Sequence, residues 1–196
     1  ALWAFEPTGL GHGHLVTNDV AMALVGLALA LAAGGLMRRP SPLAFVRFGV
    51  LAGVALLTKF TAIPWLVVLI GGLLLHAALA HRRWAVVARM AGGLGLALLI
   101  AWGLIWAGYG FRFAPTPDPA VRLPVAAIAR HAVDPTLLDG LQPKLVGHTV
   151  AFAHSHALLP EAFLFGLCYA SNKSQQRRTY LLGEVRERAD WRFFPL

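Results

Sequence analysis

The sequence predicts an all-α fold: a bundle of about four transmembrane helices, followed by a polar segment with interfacial helices on the outer face of the membrane. Hydrophobic residues make up 58% of the 196 residues and charged residues only 13%, and the mean hydropathy is +0.65. Apolar runs of nearly membrane-spanning length recur, separated by short basic turns. A helix needs about 20 apolar residues to cross a bilayer. We therefore expect an integral, multi-pass membrane protein.

Four apolar runs are the predicted spans. They are Val20–Met37, Leu43–Thr58, Thr61–Ala80 and Met90–Gly110. Arg47 lies near one end of its run and can reach the interface by snorkelling, and Pro64 lies in a first helical turn, where its missing N–H is tolerated. Glycine pairs at 34–35, 71–72 and 92–93 are expected to let helices approach closely.

The basic residues predict the orientation of these spans. One side of the membrane receives six arginines, and the other receives only Lys59 and Arg112; the six are Arg38, Arg39, Arg47, Arg82, Arg83 and Arg89. Cytoplasmic loops carry the excess of Lys and Arg. We expect the arginine-rich side to be cytoplasmic, in a bacterial inner (plasma) membrane whose lipids the spans contact. Because this bias accounts for much of the net charge of +8, we expect no nucleic-acid partner.

The domain prediction is a bundle over 1–110, with an outer loop at 6–19, and an outer-face segment over 111–196. A turn-rich linker, Pro115-Thr-Pro-Asp-Pro, opens the second part. Its apolar pieces at 123–129 and 158–169 are too short to span and are predicted as interfacial helices, with a re-entrant segment as the alternative for 158–168. Because the chain starts without Met and ends without a helix stop, we expect an internal fragment, truncated before the next span.

Three sequence blocks occur in the order of a known family. They read P-x-x-L-x-H-x-H-L-V-T-N-D over 7–19, G-V-L-A-G-V-A-L-L-T-K over 49–59, and Y-L-L-G-E-x-x-x-x-x-D-W-R-F-F-P over 180–195. The chain resembles the middle of a polytopic glycosyltransferase of the protein O-mannosyltransferase and aminoarabinose-transferase type. It departs from the family at Asp190, Phe193 and Phe194, where relatives usually carry Gly and two Tyr.

The resemblance implies transfer of a sugar from a polyprenyl-phosphate donor to a protein, lipid or glycan acceptor on the outer face. It also implies that the main catalytic carboxylate of the family lies in an outer loop that precedes this chain. Asp19 matches the second acidic position of the family, at the wall of the cavity. The resemblance therefore predicts a catalytic role for Asp19 as a cavity acid rather than as the main base.

The chemistry of transfer suggests roles for the charged residues of the outer face. A departing lipid phosphate needs cations or a metal ion, and the acceptor hydroxyl needs a base. Lys59, His14, Arg177 and Arg178 are the predicted substrate-binding residues. The alternatives are that Asp19 caps its helix with Asn18 or Thr17, that Lys59 anchors the interface, and that Arg177 and Arg178 lie in a solvated loop.

No cofactor follows firmly from the sequence, although a divalent metal ion is a candidate. Glu6 and His12, with His14, offer carboxylate and imidazole ligands; the alternative is that these histidines pack or form hydrogen bonds within their loop. His154 and His156 repeat the H-x-H pattern, but within a helix they lack the i, i+4 spacing that suits one ion. Cys168 is the single cysteine and excludes an internal disulfide.

Two other functions compete with the enzyme. A transporter or flippase for a lipid-linked or small substrate would place charge at the membrane midplane, whereas the four apolar runs keep charged residues away from their centres. A structural membrane subunit would not need the long polar segment, rich in His and Arg, that follows residue 110. Glycosyl transfer is the function that the sequence favours.

Overall fold

The computed structural model describes residues 18–81, 83–118, 121–125, 129, 142–175, 179–181 and 184–186. The chain divides into two compact units, Ala1–Gly108 and Tyr109–Leu196. Each unit is described separately below. As predicted, the fold is helical, and the described part adds only one short β-hairpin.

The first unit contains four helices joined by short connections. They are α1 (Asp19–Arg38), α2 (Pro42–Thr58), α3 (Ala62–His81) and α4 (Trp84–Gly108). Each begins within one residue of its predicted span, except α4, which starts six residues before Met90 and so includes Arg89. Ser41 caps α2, because its hydroxyl accepts a hydrogen bond from the Ala44 N–H at 3.2 Å, and Pro42 follows at the first helical position.

Three of these helices are long and apolar enough to cross a membrane, by length and composition. They are α1, α3 and α4, with mean hydropathies of 2.3, 2.2 and 1.9 over their apolar windows. The fourth predicted span, α2, is equally apolar in character but has only 17 residues. Leucine and valine side chains project outward from all four helices, as expected for surfaces that face lipid rather than water. The first unit is therefore a membrane-embedded helical bundle.

Helix α2 makes its most extensive contacts with α4, and two glycines explain how closely the helices pack. A Cβ atom on Gly49 would lie 2.6 Å from the Ala97 carbonyl oxygen, and one on Gly53 would lie 2.8 Å from Leu104 Cβ. Small residues four apart permit such close approach in membranes. The prediction that the three glycine pairs permit close helix contacts is confirmed only at Gly93, which packs against the Phe45 ring. It is wrong for the other five glycines, which have no tight interhelical neighbour.

The second unit contains two helices and a two-stranded antiparallel hairpin. They are α5 (Gln142–Ser155), α6 (Glu161–Gln175), β1 (Thr179–Leu181) and β2 (Glu184–Arg186), with Tyr180 opposite Val185. The predicted helix around 158–169 corresponds to α6. The helix predicted over 123–129 lies largely outside the described residues, and α5 and the hairpin were not predicted. A small core joins α5 and α6; its buried residues are Val125, Ala129, Val150, Ala153, Leu164 and Cys168.

The connection between α5 and α6 has a defined geometry. Helix α5 ends with Ala157 in the left-handed region, at φ 48°. The Leu158 N–H donates to the Ala153 carbonyl at 2.8 Å, and the Ala157 N–H donates to the His154 carbonyl at 3.2 Å. This pair of bonds is the Schellman arrangement, which usually has glycine at the position of Ala157. Pro160, which is buried, then starts α6 and places Glu161 in its first turn.

Candidate functional site

The start of α1 meets the end of α2 through polar contacts between residues 40 positions apart. Asn18 Nδ2 donates a hydrogen bond to the Thr58 carbonyl oxygen at 2.7 Å. Beside it, the ammonium group of Lys59 forms an ion pair with the carboxylate of Asp19. The three-residue connection between α1 and α2 produces this meeting, because it reverses the chain so that the end of α2 returns to the start of α1. We refer to Asn18, Asp19, Thr58 and Lys59 as the rim site.

Local structure explains why both charged groups are stable at these positions. Asp19 is the first residue of α1, where the partial positive charge of the helix N-terminus favours a carboxylate. Lys59 directly follows α2, where the partial negative charge of the C-terminus favours an ammonium group. The Lys59 N–H also donates to the Ala55 carbonyl at 3.0 Å. The N-terminus of α1 therefore stabilises the Asp19 carboxylate, and the C-terminus of α2 stabilises the Lys59 ammonium group that pairs with it.

The start of α1 bears on the alternative that Asp19 is a helix cap. Asn18, not Asp19, occupies the N-cap position of α1, and its side chain makes no capping hydrogen bond because it donates to α2 instead. Asp19 contributes through its charge in the first turn. The Asn18 side chain is therefore not a side-chain cap of α1, and the catalytic role of Asp19 stays a prediction. Thr17 lies outside the described residues.

The rim site is accessible. The Asp19 side chain is 53% exposed and the Lys59 side chain 32% exposed. A lysine ammonium has three donors on a flexible stem, so Lys59 can hold Asp19 and an incoming anion together. The Asp19 carboxylate can accept a proton or a hydrogen bond from a hydroxyl group. This pair of groups can thus bind a ligand that carries both a phosphate and a hydroxyl.

Several predicted site residues cannot be placed relative to this pair. Glu6, His12 and His14, predicted for metal and substrate, and Arg177 and Arg178, predicted for substrate, lie outside the described residues. Among the part of the chain that the structure describes, no three His, Cys, Asp or Glu side chains come close enough to hold a metal ion. That result covers His148, His154 and His156. The metal prediction for Glu6 and His12 stays a prediction.

The second unit contains a buried charged group that the sequence did not single out as a site. The Glu161 side chain is only 2% exposed, and His154 Nε2 lies 3.3 Å from its Oε1. In the sequence, Glu161 follows Pro160, and this pattern is typical of the first turn of a helix. Its position after a proline, within an apolar stretch, was a signal that Glu161 could be buried. The burial itself depends on α5, which was not predicted.

Comparisons with known proteins add no assignment. No family model, curated protein or solved structure matches the chain.

Proposed function

We propose that this protein is a membrane glycosyltransferase that moves a sugar from a polyprenyl-phosphate donor to a protein, lipid or glycan acceptor. The observation that carries the proposal is the meeting of Asn18 and Asp19 with Thr58 and Lys59. These residues end two of the three sequence blocks on which the family resemblance rests. Blocks that share one function are expected to share one site, and here two of them meet at one end of a membrane bundle.

The chemistry of the rim site supports the same function. Transfer from a lipid phosphate produces a phosphate leaving group whose negative charge must be stabilised, and it consumes a hydroxyl nucleophile. In this proposal the Lys59 ammonium binds the phosphate, and the Asp19 carboxylate orients the acceptor hydroxyl through a hydrogen bond. The bond from the sugar to phosphate oxygen breaks, the bond to the acceptor oxygen forms, and a separate base takes the hydroxyl proton.

The membrane setting is consistent with a lipid-linked donor. A polyprenyl chain lies in the bilayer and presents its phosphate at the headgroup level, where the ends of transmembrane helices also lie. The end of the bundle with Asp19 and Lys59 is opposite the end that collects Arg38, Arg39 and Arg83. By the positive-inside rule, the arginine-rich end is cytoplasmic. We propose that the rim site faces outward, in a bacterial inner membrane.

Transfer assays with matched variants test this function. Membranes that contain the natural protein would be supplied with a panel of radiolabelled polyprenyl-phosphate sugars, and acceptor labelling would be measured. Loss of a charge-assisted hydrogen bond weakens an interaction by about tenfold to a hundredfold. We expect Asp19→Asn to lower the maximal rate by about that factor at an unchanged protein level, and Lys59→Gln mainly to raise the donor concentration needed.

The control is Asp118→Asn, which makes the same chemical change in the second unit and should leave transfer unchanged. Transfer that is equal in the wild type and in both rim-site variants would remove Asp19 and Lys59 from the mechanism. Absence of transfer with every donor, from protein that is folded and abundant, would overturn the proposed reaction.

A further inference from the structure

The connection between α3 and α4 lies beside a pocket that the proposed transfer reaction does not use. Its volume is about 200 Å³, several times the roughly 30 Å³ that a water molecule occupies in the liquid. The lining consists of Ala78, near the end of α3, and of Arg83, Trp84 and Val87, around the start of α4. We refer to these four residues as the α3–α4 pocket.

The lining of this pocket changes in polarity along the helices. Arg83 and Trp84 lie where the two helices end, and both side chains are exposed, Trp84 by 86%. Ala78 and Val87 each lie three residues further along their helices, about 4.5 Å toward the middle of the bundle. Both helices are long and apolar enough to cross a membrane. The pocket therefore has a cationic and aromatic mouth at headgroup level and an apolar interior at the level of the acyl chains.

The backbone holds Arg83 at the mouth of the pocket. The N–H groups of Val86 and Val87 donate to the Arg83 carbonyl at 3.0 and 3.3 Å, so this residue is tied to the first turn of α4. Its side chain is left to extend from the mouth. Arg83 can therefore meet a ligand without any rearrangement of the helices.

The positive charge at this end of the bundle is not balanced by acidic residues. Arg38 and Arg39 lie at the same end as Arg83, and residues 20–117 contain no Asp or Glu. Within the described part of the first unit, the one carboxylate side chain is that of Asp19, which pairs with Lys59 at the opposite end. A negatively charged ligand is therefore favoured at the α3–α4 pocket.

We propose that the α3–α4 pocket binds an anionic phospholipid, of which phosphatidylglycerol is the simplest example. The Arg83 guanidinium presents a fork of donors that matches a phosphate group. Trp84 places an indole, which has an apolar body and one N–H donor, at the depth of the lipid glycerol and ester groups. Ala78 and Val87 contact the first part of an acyl chain.

Other occupants satisfy only part of this lining. Phosphatidylcholine offers the same phosphate and chains, but its ammonium group is repelled by the arginines at this end. Free phosphate can pair with Arg83 and gains nothing from the apolar side chains of Ala78 and Val87. By the positive-inside rule this end faces the cytoplasmic leaflet, where anionic lipids attract basic groups. Lipid binding here stands apart from the proposed transfer reaction, because it needs no turnover at the rim site.

Fluorescence quenching in vesicles tests the proposal on the whole chain. The vesicles are phosphatidylcholine with increasing amounts of phosphatidylglycerol, and either lipid carries bromine atoms on its acyl chains close to the glycerol. Because the chain has six tryptophans, the signal of Trp84 is taken as the difference between each protein and the same protein with Trp84→Phe. We expect brominated phosphatidylglycerol to quench Trp84 at a lower share of the lipid than brominated phosphatidylcholine does.

Two variants change the pocket in different ways. Arg83→Gln should lower the affinity for phosphatidylglycerol relative to phosphatidylcholine by about tenfold, since it removes the charged partner of the phosphate. Ala78→Phe keeps every charge but fills the apolar interior, and it should remove most of the quenching of Trp84. Because Ala78 is exposed, this variant keeps the test valid if Arg83→Gln fails to fold. Unfolding in SDS checks that each variant is folded.

Arg39→Gln is the matched control, because Arg39 is an exposed arginine at the same end that does not line the pocket. It acts on the lipid only through a field that salt screens, so the relative affinity should change by less than about threefold. Three results would overturn the proposal: both lipids quench Trp84 equally, Arg39→Gln weakens binding as much as Arg83→Gln, or Ala78→Phe leaves the quenching unchanged. Relief of the quenching by added inorganic phosphate would also overturn it, because the pocket would then bind free phosphate.

Discussion

Both units place a carboxylate at the first residue of a helix and bring basic groups from other parts of the unit to it, but the environments are opposite. At the rim site the Asp19 side chain is 53% exposed and pairs with Lys59. In the second unit the Glu161 side chain is 2% exposed and has His154 at one oxygen. The helix N-terminus favours the negative charge in both cases. Solvent access is what distinguishes them.

The difference in solvent exposure predicts which charged groups can exchange partners and which charged groups the fold depends on. An exposed ion pair contributes about 0–1 kcal/mol to stability, since water competes for both charges. Lys59 can therefore exchange Asp19 for a ligand at little cost. A buried carboxylate that loses its partner costs several-fold more. We therefore expect helix packing to dominate the stability of the first unit, and the second unit to depend on keeping the buried Glu161 carboxylate paired.

The largest expected loss of stability tests whether helix packing dominates the stability of the first unit. Gly49→Ala would place a Cβ 2.6 Å from the Ala97 carbonyl oxygen, and backbone atoms cannot rotate away. We expect a loss of about 3 kcal/mol in the free energy of unfolding, measured by SDS titration in mixed micelles. Gly92→Ala, where the added Cβ meets no atom within 4 Å, is the control and should unfold as the wild type does. Equal stability of the two variants would contradict the close α2–α4 contact.

The second-largest expected loss of stability tests whether pairing of the buried Glu161 carboxylate matters to the stability of the second unit. His154→Leu removes the donor at Glu161 Oε1. Since Oε2 has no hydrogen-bond donor among the described residues, those residues then leave both carboxylate oxygens without hydrogen bonds. We expect a loss of about 2 kcal/mol by thermal or SDS unfolding. His148→Leu, at an exposed position of the same helix, should change stability by less than about 0.5 kcal/mol. If the two variants are equally stable, the His154–Glu161 contact does not stabilise the fold.

A smaller effect is expected for the exposed pair. Asp19→Asn should lower the free energy of unfolding by less than about 1 kcal/mol, because the pair is exposed and the Asn18 hydrogen bond to Thr58 remains. Added salt should reduce even this difference, since ions screen exposed charges. A loss of stability as large as that expected for His154→Leu would contradict the contrast between the exposed and the buried carboxylate, because Asp19 would then be needed for the fold.

The smallest change in free energy is expected from Cys168. Burial raises the pKa of the Cys168 thiol above its ordinary value of 9.0. At a given pH the folded protein therefore holds less of the reactive thiolate, and iodoacetamide should alkylate Cys168 slowly until SDS unfolds the chain. Because the folded state retains this proton more strongly, stability should decrease as the pH rises through 9. The Cys168→Ala variant should lack that decrease, and rapid alkylation of folded protein would contradict the burial.

The sequence predicted the first unit well because its signals are local. Apolar runs bounded by arginines define α1, α2 and α3 to within one residue, and the membrane character follows from composition alone. The start of α4 was placed six residues late because Arg89 was counted with the basic residues that precede the span. The closely packed glycines were also misassigned: Gly49 and Gly53 face α4, and only the three-dimensional arrangement of the helices shows this.

The candidate sites were predictable only in part. Asp19 and Lys59 were each selected from the sequence, but their contact depends on how the connection between α1 and α2 folds back, which no local pattern specifies. Helix α5 was missed because its mixed sequence of Gly, Thr and His lacks a strong apolar period. Without α5 there was no reason to expect that Glu161 is buried.

The length of α2 bears on the bilayer itself. Its 17 residues extend about 25 Å, whereas the hydrocarbon core is about 30 Å thick. Lipids next to a short helix adapt by thinning locally, at a modest energetic cost. Lys59 lies at the end of α2, so thinning beside this helix would draw the headgroup layer inward toward the Asp19–Lys59 pair. A lipid-borne substrate would then approach these charges from a dip in the membrane, without leaving the bilayer.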